Sequence, residues 1–330
     1  MPGSKRNRYY AGPPSDHFDG HRFFNPEDER RSPGLGALLR WRFSGGKAKW
    51  PKSVPSPFLD HPPERVAGLR ITLIGHASML IQAGLCNILV DPHWSDRASP
   101  FSFAGPKRVN PPGVAFDDLP PIDVVLITHA HYDHLDMPTL RRLWRIHRPR
   151  ILAPLGNDAI IRRADPDIEV ATGDWGDRFA LSDSVAASLT PARHWSARTL
   201  SDRNMSLWCG FAIETPAGLI YHVGDTGFGD GRIFRSVRRQ FGAPAVAIIP
   251  IGAYAPRWFM SPQHVDPAEA VAIMRECGAL QALGVHWGAF HLSDEAHDAP
   301  PRELATALNA HGVAAKHFVP LQPGEVWQTR

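Results

Sequence analysis

The sequence predicts an α+β fold, in which a mixed β-sheet is layered with helices. One observation is a series of short β-branched and apolar runs of strand length, each bounded by glycine, proline or polar residues. The early runs come in hairpin-like clusters, and the later runs alternate with segments of helical periodicity. Because a sheet buries its apolar face against another layer, helices that alternate with strands are expected to cover it.

The predicted elements begin at Leu69. Strands are predicted at residues 69–74, 87–91, 123–128, 185–190, 207–214, 219–223, 245–250 and 280–286. Helices are predicted at residues 137–147, 232–241, 267–277 and 301–311. Residues 1–65 are rich in proline, glycine and arginine, and we interpret them as an irregular N-terminal extension that wraps a main domain at residues 66–330.

The extension holds one short apolar stretch, at residues 35–41. We expect Leu35, Leu38, Leu39 and Trp41 to pack on the main domain. A surface that faces lipid or a partner protein is the alternative.

The composition is that of a globular protein. Of 330 residues, 43% are hydrophobic and 21% are charged, and the net charge of +3 is too dispersed for a nucleic-acid-binding surface. Three cysteines lie far apart without a C-x-x-C pair, which predicts neither a disulfide framework nor a zinc–thiolate site. We expect no leader segment, and no apolar run of about 18 residues appears in the sequence. We therefore expect a cytoplasmic protein that does not bind nucleic acid.

The segment at residues 129–134 is the strongest candidate for a metal site. It reads H-x-H-x-D-H and directly follows an apolar strand. In an extended chain, residues two apart share a face, so His129 and His131 can converge on one ion. Asp133 and His134 are adjacent, so the chain must turn if all four ligate, and a second ion is then expected. Surface histidines in a strand-to-helix loop are the alternative.

Three further residues follow predicted strands, namely His194, Asp225 and His286. Each alone could be a polar core residue, but together they supply the ligands that a two-metal site still lacks. The carboxylate of Asp225 can bridge two cations, and the glycines around it allow backbone to approach closely. This glycine-rich segment is not a phosphate-binding loop, because the order G-x-x-x-x-G-K-[ST] is missing.

The order of these residues resembles the metallo-β-lactamase superfamily, over about residues 69–317. The resemblance implies an αββα sandwich with the site at one edge of two sheets. A closer resemblance is to N-acylphosphatidylethanolamine-hydrolysing phospholipase D and its bacterial relatives. Short stretches carry it at residues 74–78, 97–100, 105–108, 119–123, 194–200 and 286–288. The longer stretch at 254–271 is the most specific to that family.

The resemblance also implies the cofactors and the role of each ligand. It implies two zinc ions, with iron or manganese as alternative metals. One ion is expected to be held by His129, His131 and His194, and the other by Asp133, His134 and His286, with Asp225 bridging both.

Other residues are expected to act on the substrate. Asp133 is expected to orient the nucleophile as well as to ligate. Gln263, His264 and Tyr254 are predicted to bind substrate, and His264 is also a catalytic candidate. A role for His264 in capping the next helix or in supporting a ligand is the alternative.

The implied reaction is of the phospholipase D type, in which a lipid phosphodiester yields phosphatidic acid and an N-acylethanolamine. A phospholipid substrate, peripheral association with the inner membrane face and a homodimer are expected with it. A hydrolase of another bond, such as a sugar-phosphate lactonase, is one alternative. A non-catalytic metal-binding protein is another alternative. It is disfavoured because a structural zinc needs only four ligands, whereas seven candidate ligands are present. β-Lactam hydrolysis is disfavoured because Asp225 stands where many zinc β-lactamases have a cysteine.

Overall fold

The structure is a computed structural model, and it describes residues 6–26, 35–43 and 45–329. The helices are α1 (Leu35–Phe43), α2 (Met137–His147), α3 (Asn157–Ala164), α4 (Arg232–Phe241), α5 (Arg257–Met260), α6 (Pro267–Cys277) and α7 (Ala299–Ala310). The first strands are β1 (Leu69–Gly75), β2 (Ser78–Ala83), β3 (Cys86–Val90), β4 (Val124–Leu126), β5 (Arg150–Pro154), β6 (Val170–Gly173) and β7 (Arg178–Ala180). The remaining strands are β8 (Ala186–Thr190), β9 (Gly210–Thr215), β10 (Gly218–His222), β11 (Val246–Pro250), β12 (Gln281–Val285), β13 (Phe318–Pro320) and β14 (Val326–Gln328).

These strands form two seven-stranded sheets within the described part of the chain. The first has the order β14-β1-β2-β3-β4-β5-β6, and the second has the order β13-β12-β11-β10-β9-β8-β7. Side chains of α2 and α3 pack with the outer face of the first sheet, and those of α4, α6 and α7 pack with the outer face of the second. The αββα sandwich is therefore confirmed.

The central core lies between the two sheets. Ile71, Ile81 and Ile88 of the first sheet meet Phe211 and Ile248 of the second, and all five are completely buried. All residues of β1, β2 and β3 are buried, because one face of these strands meets the other sheet and the opposite face meets the helices. These three strands thus form a rigid frame within the first sheet.

Strand direction brings the candidate residues to one edge. Strands β3 to β6 are parallel to one another, as are β10 to β13. Strand β8 runs in the same direction as β10, since both are antiparallel to β9. The carboxyl ends of parallel strands meet at one edge of a sheet, which is where open α/β sheets bind ligands.

The helix predictions agree well with the structure. Helices α2, α4 and α6 have the predicted bounds, and α7 covers residues 299–310 where 301–311 was predicted. Strand β2 was not predicted, because it follows β1 after only two residues. The reversal is made by Gly75, with φ 154°, and His76, with φ 56°, and not by a recognisable turn dipeptide.

The described part of the N-terminal extension packs onto the sandwich. Phe18 and Phe23, each 1% exposed, lie in one cluster with Leu207 and Trp208. His17 is buried beside them, and its ring lies 2.7 Å from a carboxylate oxygen of Asp174. We propose that this segment wraps the main domain, with the boundary at residues 65 and 66 still a prediction.

Helix α1 was not predicted. Trp41 packs on the domain, since its ring stacks on Phe259 with 4.9 Å between the centroids. Leu38 and Leu39 remain 40% and 54% exposed. The side chain of Leu35 lies outside the described residues. None of the helices in the described part of the chain has the length and apolar character needed to span a bilayer.

Phe18→Ala should lower the free energy of unfolding by about 3–5 kcal/mol, because it removes a fully buried aromatic side chain. Unfolding in urea, followed by tryptophan fluorescence, measures this change. Phe24→Ala is the matched control, since Phe24 is 37% exposed and its loss should change stability by less than about 1 kcal/mol. If Phe18→Ala lowers stability as little as Phe24→Ala, the segment does not contribute to the core.

Candidate metal centre

The predicted ligands follow the carboxyl ends of four strands. His129 comes shortly after β4, His194 after β8 and Asp225 after β10, while His286 directly follows β12. The loop at residues 129–134 turns into α2, as the adjacent positions of Asp133 and His134 required. The structure therefore brings all seven predicted ligands to the edge shared by the two sheets.

Three histidines form the first ligand group. His129 Nε2 lies 2.8 Å from His131 Nδ1, which lies 3.2 Å from His194 Nε2. Burial lowers the pKa of His131 and of His194 to about 3 and holds the pKa of His129 well below its ordinary value. All three rings are therefore neutral at pH 7, and the neutral imidazole is the form that binds a metal ion.

The second ligand group contains Asp133, His134 and His286. Asp133 Oδ2 lies 3.5 Å from His134 Nε2 and 3.4 Å from His286 Nε2. Asp225 lies between the two groups. Its Oδ2 atom is 3.1 Å from His286 Nε2 and 3.8 Å from His194 Nε2.

The carboxylates at the second ligand group are ionised and favour the binding of cations. Burial acts to raise the pKa of Asp133 and of Asp225, but His134 and His286 outweigh burial and hold both pKa values well below the ordinary one. Against the effect of burial, the carboxylates raise the pKa of His134 well above its usual value and that of His286 to about 9. In the metal-free protein these two imidazoles balance the carboxylates as cations, and a bound metal ion would take the place of their protons.

Two ring nitrogens that converge on the carboxylates of Asp133 and Asp225 make no hydrogen bond within the described part of the chain. They are the Nε2 atoms of His134 and His286, which lie 3.1–3.5 Å from the carboxylate oxygens. Buried polar atoms are nearly always satisfied, so buried imidazole nitrogens that converge without a hydrogen-bond partner are typical of ligands. The donor set thus fits one or more metal ions.

Asp91, for which the sequence predicts no role, supports both ligand groups. Its Oδ2 atom is 2.7 Å from His134 Nδ1 and accepts the hydroxyl hydrogen of Thr128 at 2.5 Å. The same hydroxyl lies 2.9 Å from His129 Nδ1. Asp91 therefore orients His134 directly and His129 through Thr128, as carboxylates behind metal-binding histidines commonly do.

Two other contacts fix the loops that carry the ligands. The Nδ1–H of His194 donates to the carbonyl oxygen of Gln263 at 3.0 Å, which directs Nε2 towards His131. The guanidinium of Arg198 donates to the carbonyl oxygens of Ala130 and Leu135 at 2.9 and 2.8 Å. Arg198 thus joins the loop at residues 129–134 to the loop after β8.

Close backbone approach behind Asp225 depends on Gly224. This glycine has φ 70°, and a Cβ atom there would lie 2.6 Å from the carbonyl oxygen of Cys209. The expected use of glycine beside Asp225 is therefore seen at this position.

Two of the three predicted substrate residues lie beside the ligands. His264 is beside the ligands, with Nδ1 3.9 Å from Asp225 Oδ2, and Gln263 is buried next to it. Helix α6 is capped by a capping box of Asp266 and Glu269, so His264 does not cap it. Tyr254 is also buried, and burial together with Glu303 raises its pKa well above the ordinary value. Its role in substrate binding stays a prediction.

Comparison with known proteins identifies the family. A model described as the β-lactamase superfamily domain matches residues 86–287. The chain belongs to the metallo-β-lactamase superfamily. It is 36% identical over 273 residues to N-acyl-phosphatidylethanolamine-hydrolyzing phospholipase D 1 of Caenorhabditis elegans, covering 79% of this chain and 76% of that protein. This degree of similarity also places the chain in the family of that phospholipase D.

Two further comparisons agree. The chain is 32% identical over 238 residues to the mitochondrial N-acyl-phosphatidylethanolamine-hydrolyzing phospholipase D of Saccharomyces cerevisiae, covering 71% of this chain and 50% of that protein. A metallo hydrolase from the archaeon Ignicoccus hospitalis shares the fold, with a TM-score of 0.60 at 19% identity over 80% of this chain and 99% of that protein. The superfamily and the cluster of donors together make the chain a metal-dependent hydrolase.

Asp91→Asn should weaken metal binding by about 10- to 100-fold, because the variant loses the charge that orients His129 and His134. Chelator competition on the purified protein measures the affinity. Asp117→Asn is the control, since its side chain is 84% exposed. Unchanged affinity in Asp91→Asn would show that Asp91 has no part in holding the ligands.

Proposed function

We propose that the chain is a phosphodiesterase that uses two zinc ions to cleave N-acylphosphatidylethanolamine-like lipids in a phospholipase D-type reaction. The observation that carries the two-ion proposal is the place of Asp225. A single carboxylate oxygen lies within 4 Å of His134 and His286 on one side and of His194 on the other. This supports a bridging carboxylate between an ion at each group, with iron or manganese as alternatives to zinc.

The substrate class rests on similarity to proteins of known name. Two relatives, from C. elegans and S. cerevisiae, are named for hydrolysis of N-acylphosphatidylethanolamine. We extend that activity to this chain, with residues 66–330 as the catalytic domain. The exposed apolar residues Leu39, Phe43 and Phe103 support peripheral contact with a lipid surface.

The proposed metal ions and the chain supply different parts of the reaction. When bound, a pair of such ions provides a hydrolytic nucleophile at neutral pH and neutralises charge on a phosphate group. Asp133 is ionised, its side chain is 13% exposed, and a carboxylate there can accept a hydrogen bond from water and orient it. This supports a positioning role for Asp133 in addition to ligation.

His264 and Gln263 are proposed to hold the phosphate group. Burial lowers the pKa of His264 to about 3, so its ring is neutral and donates a hydrogen bond through one N–H. Its Nδ1 atom and the Oε1 atom of Gln263 make no hydrogen bond within the described residues. An N–H at Nδ1 of His264 can donate to a phosphate oxygen, and Oε1 of Gln263 can accept from the amide N–H of an N-acyl chain.

Metal-loaded protein should convert N-acylphosphatidylethanolamine to phosphatidic acid and an N-acylethanolamine, as measured by liquid chromatography of the products. His131→Ala should abolish turnover and reduce metal content. His61→Ala, at a histidine whose side chain is 69% exposed, should behave as wild type. Turnover of sugar-phosphate lactones and not of lipid or simple phosphodiesters would favour a lactonase. Retained metal without turnover of lactones, lipids or simple phosphodiesters would favour a non-catalytic protein.

His264→Ala should lower kcat by about 10²–10³-fold, because it removes one hydrogen-bond donor to charge that develops in the transition state. Metal content by elemental analysis should be unchanged. Loss of metal from this variant would instead assign His264 as a ligand.

A further inference from the structure

His76 is a buried histidine beside the second ligand group, and it is not among the seven predicted ligands. It lies in the turn between β1 and β2 and is 2% exposed. Its Nε2 atom is 3.0 Å from Oδ2 of Asp133, which is shorter than the distance from that oxygen to His134 or His286. His76 is also close enough to these three residues for its nitrogen to lie within 4.8 Å of their ligand atoms.

We propose that His76 is a positioning residue, whose Nε2–H donates to the carboxylate of Asp133 and fixes that carboxylate for the second metal ion. The inference rests on the proposed two-metal centre. It assigns to the β1–β2 turn a direct part in arranging the ligands and in holding the group that orients water.

The contact itself indicates which nitrogen carries the proton. An ionised carboxylate only accepts hydrogen bonds, so a ring nitrogen held 3.0 Å from Asp133 Oδ2 is stable there when it carries hydrogen. Nδ1 of His76 is buried and makes no hydrogen bond within the described residues. Protonation at Nδ1 would leave that N–H unsatisfied and would place the Nε2 lone pair against the carboxylate, so both atoms favour the Nε2–H form.

The number of ligand atoms available to the second ion also favours the Nε2–H form of His76. Asp133, His134, His286 and the shared Asp225 already offer four ligand atoms to the second ion, which completes tetrahedral coordination. A nitrogen that carries a proton cannot ligate. His76 is therefore assigned to the carboxylate and not to the ion.

The ring of His76 is held from several sides. Its backbone carbonyl accepts from the amide of His286 at 2.9 Å, and its ring lies on that of His286 with 4.0 Å between the centroids. The edge of Phe290 packs against it at 5.2 Å. The residue also keeps a left-handed backbone with φ 56°, a conformation that is uncommon for non-glycine residues and clusters at functional sites. A ring fixed in this way can fix Asp133 relative to His286.

Metal titration of His76→Ala and His76→Gln tests the assignment. Each metal-free protein is titrated with Co²⁺, the d–d absorption is followed, and the stepwise affinities are obtained by chelator competition. In His76→Ala the second ion should bind about 10- to 100-fold more weakly, while the ion at His129, His131 and His194 keeps its affinity. In His76→Gln the amide N–H replaces the donor and should restore most of the loss, with a wild-type cobalt spectrum.

Other results would overturn the proposal. If His76→Gln binds as weakly as His76→Ala and its cobalt spectrum changes, His76 is a ligand. If both ions weaken equally and the metal-free melting temperature falls, its role is only structural. If both variants bind two ions with wild-type affinity, the positioning role of His76 is contradicted, and the proposed two-metal function is not. A wild-type protein that binds a single ion would instead contradict the proposed two-metal function and remove the basis of this inference.

Discussion

Two ionised carboxylates, the largely buried Asp133 and the buried Asp225, lie at the edge where the two sheets meet, and the rest of the site is arranged around them. An unpaired buried charge is strongly destabilising, so each carboxylate must be compensated by cations or by hydrogen bonds. In the metal-free protein His134 and His286 provide that compensation, because the carboxylates keep their imidazoles protonated. The same constraint explains why the site is suited to cations and why its histidines converge from separate strands.

The sandwich supplies the rigidity that such a cluster needs. Strands β1, β2 and β3 are buried along their whole length, so the turns and loops at their ends have little freedom to move. Asp91 follows β3 and reaches both ligand groups, directly at His134 and through Thr128 at His129. Parallel pairing of β3 with β4 places Asp91 beside the start of the loop at residues 129–134. The position of Asp91 behind His129 and His134 therefore depends on the register of these two strands.

Much of this arrangement could be predicted from the sequence, and the exceptions have physical reasons. The spacing of 129–134 and the position of each further ligand after a strand are local features, and the structure brings them together. Asp91 and His76 have no such spacing, since their roles depend on which strands pair and on a turn with a left-handed residue. Helix α1 and the short strands β6, β7, β13 and β14 are too brief for periodicity to reveal. Tyr254 stands in the most family-specific stretch, and its role in substrate binding stays a prediction.

In the proposed centre one carboxylate, Asp225, lies between two metal ions held by distinct ligand groups. Anomalous diffraction from crystals of zinc-loaded protein, collected on both sides of the zinc absorption edge, tests this arrangement most directly. We expect two anomalous peaks that flank Asp225, one among His129, His131 and His194 and the other among Asp133, His134 and His286. A single peak, or a pair of peaks that Asp225 does not border, would contradict it.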